Sequence, residues 1–314
     1  MATGDYLSFL DADGTCNPEF FADLVVNLEK QNADIAIGSR LGRNSQMPKI
    51  RRLGNIFYAA IINFIGNVNI TDSASGMRVI KRKALESIYP LPDGLHFTPA
   101  MSCKALLNKK LKLIEIPMKY KEREGRSKLN VVKDGIKFFK VIGELSLFYK
   151  PLKVYLTLGA IFILIGCLYS IYPILFYVTH RHIEEWFIYR LLTILMLFLV
   201  GFNFIIFGVF AERFVSVLHN QKDIIDRLNN RFLSDLLRPM SLLKIGLFIT
   251  FFGIILNSKV IYQYVTTGHI YEHWVYVLTG ALFVLIGMQV FTFSFLHKIL
   301  SIYKETQSFR ERKL

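Results

Sequence analysis

The sequence predicts an α/β layer domain followed by an all-α membrane domain of four transmembrane helices. Three observations carry that prediction. In the first half, short apolar runs alternate with amphipathic stretches, the pattern of strands and helices stacked in layers. From residue 152 onward the chain holds four long apolar stretches, Leu152–Val178, Ile188–Val215, Leu242–Thr266 and Trp274–Leu296. Each reaches the ~20 residues a helix needs to cross a bilayer. Third, the apolar run Tyr6–Leu10 leads straight into Asp11-Ala12-Asp13-Gly14, two carboxylates one residue apart. Side chains alternate along an extended chain, so both acids leave the strand end on one side. Placed so, they repel unless a cation lies between them.

The elements follow in order. Tyr6–Leu10 reads as a strand and Pro18–Gln31 as an amphipathic helix with proline near its start. Asp34–Gly38 is a short strand, and Ile50–Gly66 is helical in period with a basic start at Lys49, Arg51 and Arg52. Gly76–Ile80 reads as a strand, Arg82–Ile88 as a short helix, Phe97–Leu107 as a helix and Leu111–Tyr120 as a strand. Val131–Tyr149 is an amphipathic helix with Lys133, Lys137 and Lys140 on its polar side, expected to lie along a membrane surface. The boundaries expected are an α/β domain over 1–129, an interfacial helix over 130–150 and a membrane domain over 151–314.

The membrane half reads as a duplication of two hairpins, 151–237 and 238–314. Lys150-Pro151 and Arg238-Pro239 open the copies, 88 residues apart, while Gly201 and Gly287 are 86 apart. Gly159 and Gly166 align with Gly246 and Gly253, and His182-Ile183 with His269-Ile270. Glycine in such helices permits close packing. No intramembrane acid or base stands out as a transport relay; Lys259 lies near an interface.

Of the 314 residues, 53% are hydrophobic and 14% aromatic, the mean hydropathy is +0.37, and the net charge is +14. In a chain with four apolar spans, that charge suits basic loops against an anionic leaflet better than nucleic acid. Glu212–Pro239 and the C-terminal tail are rich in Lys and Arg, whereas Thr179–Phe187 and Thr267–His273 hold only Arg181. The positive-inside rule then puts both termini in the cytoplasm of a multi-pass protein, with the plasma membrane of a prokaryote as the expected location. Cys16, Cys103 and Cys167 show neither pairing nor metal-ligand spacing, which suits a reducing compartment.

Four further segments carry candidate chemistry. Gly38-Ser39-Arg40 ends the second strand, where Arg40 can pair with a phosphate. Arg51 and Asn55 stand one turn apart on one helix face, able to hold an anionic headgroup. Thr71–Arg78 is polar, then tight, then basic, and its small residues let backbone amides approach a ligand. Arg123-Glu124-Gly125-Arg126-Ser127-Lys128-Leu129 reads as a basic loop whose cations could close over a diphosphate.

Taken in order, these motifs resemble the polyprenyl-phosphate glycosyltransferases, the dolichyl-phosphate mannose/glucose synthase branch of the family 2 glycosyltransferases. The resemblance covers residues 2 to 150. It implies a GT-A (nucleotide-diphospho-sugar transferase) fold and inverting sugar transfer from a nucleotide-diphospho-sugar to a polyprenyl or dolichyl phosphate. It implies Asp11 and Asp13 as the catalytic pair holding Mg²⁺ or Mn²⁺. Asp72, Ser75 and Arg78, with Arg123, Ser127 and Lys128 of the loop, fall at the donor side. Arg40, Arg51 and Asn55 fall at the acceptor phosphate. Thr15 stands where the family often has glutamine, and Asn55 where serine is common. Family members also have opening strands ahead of the position of Asp5, so the expectation is a partial GT-A domain that lacks its first strands.

Two other readings stay open at this point. A synthase acting on a neutral lipid or a polysaccharide needs a base for its hydroxyl acceptor; the Gln-x-x-Arg-Trp pattern of processive synthases does not occur, and Trp186 and Trp274 both fall in outer-interface segments. A catalytically incomplete fragment would act as a membrane scaffold or homo-oligomer.

Overall fold

The computed structural model describes residues 3–42, 45–94, 96–108, 110–121, 131–218, 235 and 237–311. The chain forms two compact units, Met1–Lys150 and Pro151–Leu314.

In the first unit, β1 (Tyr6–Phe9), β2 (Ile35–Ser39), β3 (Arg78–Lys81) and β4 (Leu113–Pro117) make one sheet in the order β1-β3-β2-β4. β3 runs antiparallel to both its neighbours, and β2 is parallel to β4. The carboxyl ends of β1, β2 and β4 therefore share one edge of the sheet with the amino end of β3. The segment Ile35–Ser39 is buried on both faces, as its unbroken small and apolar composition requires of an inner strand. On one face, Ala36 and Val79 pack with Leu24 and Leu28 of α1 (Phe20–Lys30). On the other, Ile35, Ile37 and Ile80 meet Ala84 and Ile88 of α3 (Arg82–Ile88) and Met101 and Ala105 of α4 (Phe97–Leu107). α2 (Lys49–Gly66) and α5 (Val131–Tyr149) pack together: the Tyr58 hydroxyl donates to the Gly135 carbonyl at 2.8 Å, and its ring meets Phe138 edge-on at 5.9 Å. The elements predicted for this unit are all found, three of them with unchanged ends and the others with ends moved by at most three residues.

The second unit is helical. α6 (Pro151–His180) pairs with α7 (Ile188–Leu218), and α8 (Pro239–Leu256) with α10 (Trp274–Glu311). The segments Pro151–His180, Glu185–Leu218, Pro239–Leu256 and Trp274–Lys304 are long and apolar enough to cross a membrane, with mean hydropathies of 2.2, 2.6, 2.0 and 1.9.

The third apolar stretch is not one helix. It breaks at Asn257, and α9 (Ser258–Thr267) follows as a separate amphipathic helix. Its polar side is tied down by a Lys259–Glu272 ion pair at 2.6 Å and by the Gln263 amide, whose oxygen accepts from the Tyr271 N–H at 3.1 Å. Asn257 itself lies against Gly280 of α10, where a Cβ would overlap its amide.

The two hairpins close in the same way. A Cβ on Gly159 would stand 2.7 Å from the Gly201 carbonyl oxygen, and one on Gly246 would stand 3.0 Å from that of Gly287. The matched glycines thus do the same work in each hairpin. The hairpins meet where α7 packs on α10, through Phe210 and Phe293. There the structure adds a feature the sequence reading lacked: Arg213 and His297, both buried. Arg213 Nη2 donates to Ser301 Oγ at 2.8 Å, and that hydroxyl donates to the His297 carbonyl at 2.9 Å. The sequence reading assigned Arg213 to the basic segment after the second span, but α7 runs on through it to Leu218.

Candidate active site

The site lies at the shared edge of the sheet, where chain ends rather than strand faces are available to a ligand. β1 ends at Phe9, and Asp11 and Asp13 follow. Gly14 then adopts φ +72°, a left-handed turn that suits glycine. That turn returns Thr15 to Asp13: the Thr15 hydroxyl donates to Asp13 Oδ1 at 2.7 Å and its N–H at 3.3 Å. Thr15 is buried, so it steers one oxygen of Asp13. Asp11 is exposed and lies over Gly76, where a Cβ would overlap its carboxylate.

A cavity of about 540 Å³ opens here. Asp11, Asp13, Arg40, Arg51 and Asn55 all line it, so five sequence-predicted residues come together. Met47, Ile50, Tyr58, Phe97 and Phe138 make much of its apolar wall. Cys16 also lines it, and burial pushes its thiol up, so at neutral pH it adds an uncharged sulfur and not a thiolate.

The predicted donor residues Asp72, Ser75 and Arg78 do not line the cavity; from their loop only Ala74 and Gly76 do. All three are fully buried beneath it. Arg40 grips Asp72 with a fork, Nε to Oδ2 and Nη2 to Oδ1, each at 2.8 Å, and its backbone N–H adds a bond at 2.9 Å. Asn55 donates to the same carboxylate at 2.7 Å. Ser75 Oγ donates to the Gly38 carbonyl at 2.6 Å, and Arg78 donates to the carbonyls of Ser75 and Ser73 at 2.8 and 3.1 Å. Arg123, Ser127 and Lys128 lie outside the described residues.

Burial pushes the Asp72 carboxyl up, but the charge and hydrogen bonds of Arg40 more than reverse this and hold it below the usual carboxylate range. Burial pulls Arg40 down, and Asp72 overrides that to hold it above its ordinary value. Burial lowers Arg78 to about 9 against the opposing charge of Asp72, which leaves it cationic at neutral pH. The ion pair is thus fixed in its charged form, with its geometry set by the fork.

One participant was missed in the sequence: Glu115, in β4. Its Oε1 accepts from the Asp72 N–H at 2.7 Å, and its Oε2 from the Thr71 N–H at 2.8 Å and the Thr71 hydroxyl at 3.0 Å. The available signal was a lone charge inside the apolar run Leu113-Ile114-Glu115-Ile116.

The acids fit a divalent cation of the Mg²⁺ or Mn²⁺ kind. Among the described residues, no cluster of three or more His, Cys, Asp or Glu side chains could cage an ion. Two carboxylates at an open cavity suit a cation that keeps waters and takes its other ligands from a diphosphate. The missing Cβ at Gly76 leaves room for the Asp11 carboxylate at the edge of the cavity.

Residues 1–89 match the family described as glycosyl transferase family 2. A low-salt glycan biosynthesis hexosyltransferase of Haloferax volcanii is 32% identical over 155 residues, covering 47% of this chain and 37% of that protein. A dolichyl-phosphate hexose transferase of the same organism is 27% identical over 144 residues, covering 44% of this chain and 59% of that one. A UDP-N-acetylglucosamine–dolichyl-phosphate N-acetylglucosaminyltransferase of Methanococcus voltae is 27% identical over 113 residues, covering 35% and 45%. The chain thus spans between 37% and 59% of the lengths of these relatives. The matched segment, residues 1–89, holds β1, β2, β3 and the carboxylate pair at the sheet edge, and it is this part of the chain that is similar to glycosyl transferase family 2.

Proposed function

We propose that the protein transfers a sugar, with inversion, from a nucleotide-diphospho-sugar to a polyprenyl or dolichyl phosphate at the cytoplasmic face of a membrane. The observation that carries this reading is the cavity itself. It sets two carboxylates and two arginines around one space and continues into an apolar wall. The names of the relatives support the same reaction class.

An acceptor phosphate is already anionic near neutral pH. One of its oxygens bonds to the anomeric carbon as the bond from that carbon to the donor diphosphate breaks. The electron pair leaves with the nucleoside diphosphate, and no side chain need take a proton. The work left to the protein is electrostatic: holding two anions in line and neutralising the one that departs. A cation between Asp11 and Asp13 would supply that neutralisation when bound. Arg51 and Arg40 meet the acceptor phosphate, with Asn55 donating to the Asp72 carboxylate that holds Arg40. The buried residues Ser75 and Arg78 act on the donor side through the loop they hold, whereas Asp72, gripped by Arg40 and Asn55, acts on the acceptor side through them.

The exposed apolar side chains of α2 and α5, among them Ile50, Leu53, Phe57, Ile136 and Phe139, form the face that meets the bilayer. The four apolar helices anchor it.

The test is transfer of radiolabelled sugar from a panel of UDP- and GDP-sugars to polyprenyl phosphate by the protein in membranes. Chelation should abolish labelling and Mg²⁺ or Mn²⁺ restore it, while a neutral polyprenol should stay unlabelled. Labelling of the polyprenol, or of no lipid with any donor, would overturn the reading.

A further inference from the structure

The geometry points to Glu115 as a positioning residue of this site, one that fixes where Arg40 presents its charge to the acceptor phosphate. The inference rests on the proposed reaction and adds to it a residue that touches no ligand.

The chain of contacts is short and complete. Glu115 spends both oxygens on the backbone N–H groups of consecutive residues, Thr71 and Asp72. A carboxylate that spans two adjacent amides sets the position and the tilt of that peptide. The side chain leaving that peptide is Asp72, and Asp72 receives the Arg40 fork. Arg40 lines the cavity, and its side chain is only 15% exposed, so it has little freedom apart from this pair. Asn55 reaches the same carboxylate from α2.

The anchor is rigid at its other end too. Glu115 lies in a β4 strand paired in parallel with β2, opposite Ile37, and Arg40 follows the end of β2 directly. Glu115 and Arg40 thus hang from two hydrogen-bonded strands, and the 71–72 peptide is clamped between them. Ser39 Oγ adds a contact to Thr71 Oγ1 at 3.0 Å. On the far side of the loop, Arg78 and Ser102 hold the Ser73 carbonyl, at 3.1 and 2.6 Å. Movement of the loop is blocked on that side, so loss of the Glu115 clamp is expressed at Asp72.

Glu115→Gln tests this. The amide keeps the size but has one acceptor oxygen, and its NH₂ would face an N–H. In the full-length protein we expect the KM for polyprenyl phosphate to rise about tenfold, equivalent to about 1.4 kcal/mol, with the KM for the sugar nucleotide unchanged. In a double-mutant cycle with Arg40→Lys, the two effects on acceptor KM should be non-additive. Amide hydrogen exchange at Thr71 and Asp72 should speed up in Glu115→Gln, and this needs no activity to read. Equal change in both KM values, additive effects, or a lowered unfolding midpoint with both KM values intact would each overturn the positioning role. Should the glutamine variant fail to fold, Glu115→Asp, which keeps both oxygens on a shorter arm, is read in the same way. Should the wild-type protein transfer no sugar, the proposed reaction falls, and the exchange measurement alone decides the clamp: unchanged exchange at Thr71 and Asp72 overturns it.

Discussion

The loop under the cavity and the helix crossings of the second unit solve one problem in opposite ways. Each holds two pieces of backbone at a fixed separation. In the loop Thr71–Gly76 the holding is done by charged and polar side chains from outside it, among them Arg40, Asn55, Arg78, Ser102 and Glu115. In the hairpins it is done by the lack of side chains, at Gly159 with Gly201 and at Gly246 with Gly287. The first arrangement is sensitive to charge and tolerant of small changes in volume. The second is sensitive to volume and indifferent to pH. Gly76 belongs to both kinds, since its missing Cβ makes room for a carboxylate and not for a backbone.

The largest expected effect tests the site side of this contrast. Asp13→Asn should lower kcat/KM by about three orders of magnitude, with little change in the unfolding midpoint; a variant with near-normal transfer would remove Asp13 from the metal pair. Gly76→Ala should cost about a hundredfold in kcat, because Asp11 must move aside. Steady-state assays at saturating donor would check this, and an unchanged kcat would mean that Asp11 does not need its place.

For the hairpins, Gly246→Val should destabilise the second unit by about 1–3 kcal/mol, read by unfolding in detergent. Nucleotide binding by calorimetry should be unaffected; weakened binding would break the separation drawn above.

A smaller effect concerns pH. The folded pKa of Asp72 is depressed, so its stabilising contribution is complete above the ordinary aspartate value of about 3.9. It is lost as pH falls through the depressed folded value. Thermal unfolding at falling pH should therefore show a steeper loss for the wild type than for Asp72→Asn, and parallel curves would refute the linkage. The smallest effect is expected at Lys259→Ala, where an exposed pair with Glu272 is removed and the unfolding midpoint should not move measurably.

Much of this was legible in the sequence. Strands such as Ile35–Ser39 announce themselves by composition, and the acidic pair by its place after an apolar run. The matched glycines marked the places where the helices of each hairpin cross. Three things were hidden, for a common physical reason. The partners of Glu115 are backbone amides 43 and 44 residues away, and a backbone amide leaves no mark in a sequence. The commitment of Arg40 to Asp72 likewise depends on a fold-made contact 32 residues apart. The break at Asn257 falls at the short polar run Asn257-Ser258-Lys259 inside an otherwise apolar stretch, and the place of Asn257 against Gly280 is again a contact made by the fold.

That break has a mechanical consequence. At 1.5 Å per residue, α6 with 30 residues is roughly 45 Å long, whereas α8 with 18 is roughly 27 Å. A hydrocarbon core is about 30 Å thick. In a bilayer, one hairpin would thus begin with a helix that overshoots the hydrocarbon core, and the other with one that falls just short of it. Thinning the membrane would be absorbed by tilt at the first hairpin and cost the second nothing. Thickening it relieves the first and pulls on the second, where the chain already turns at Asn257. The two halves, alike in their glycines, would respond in opposite senses to the thickness of the lipid around them.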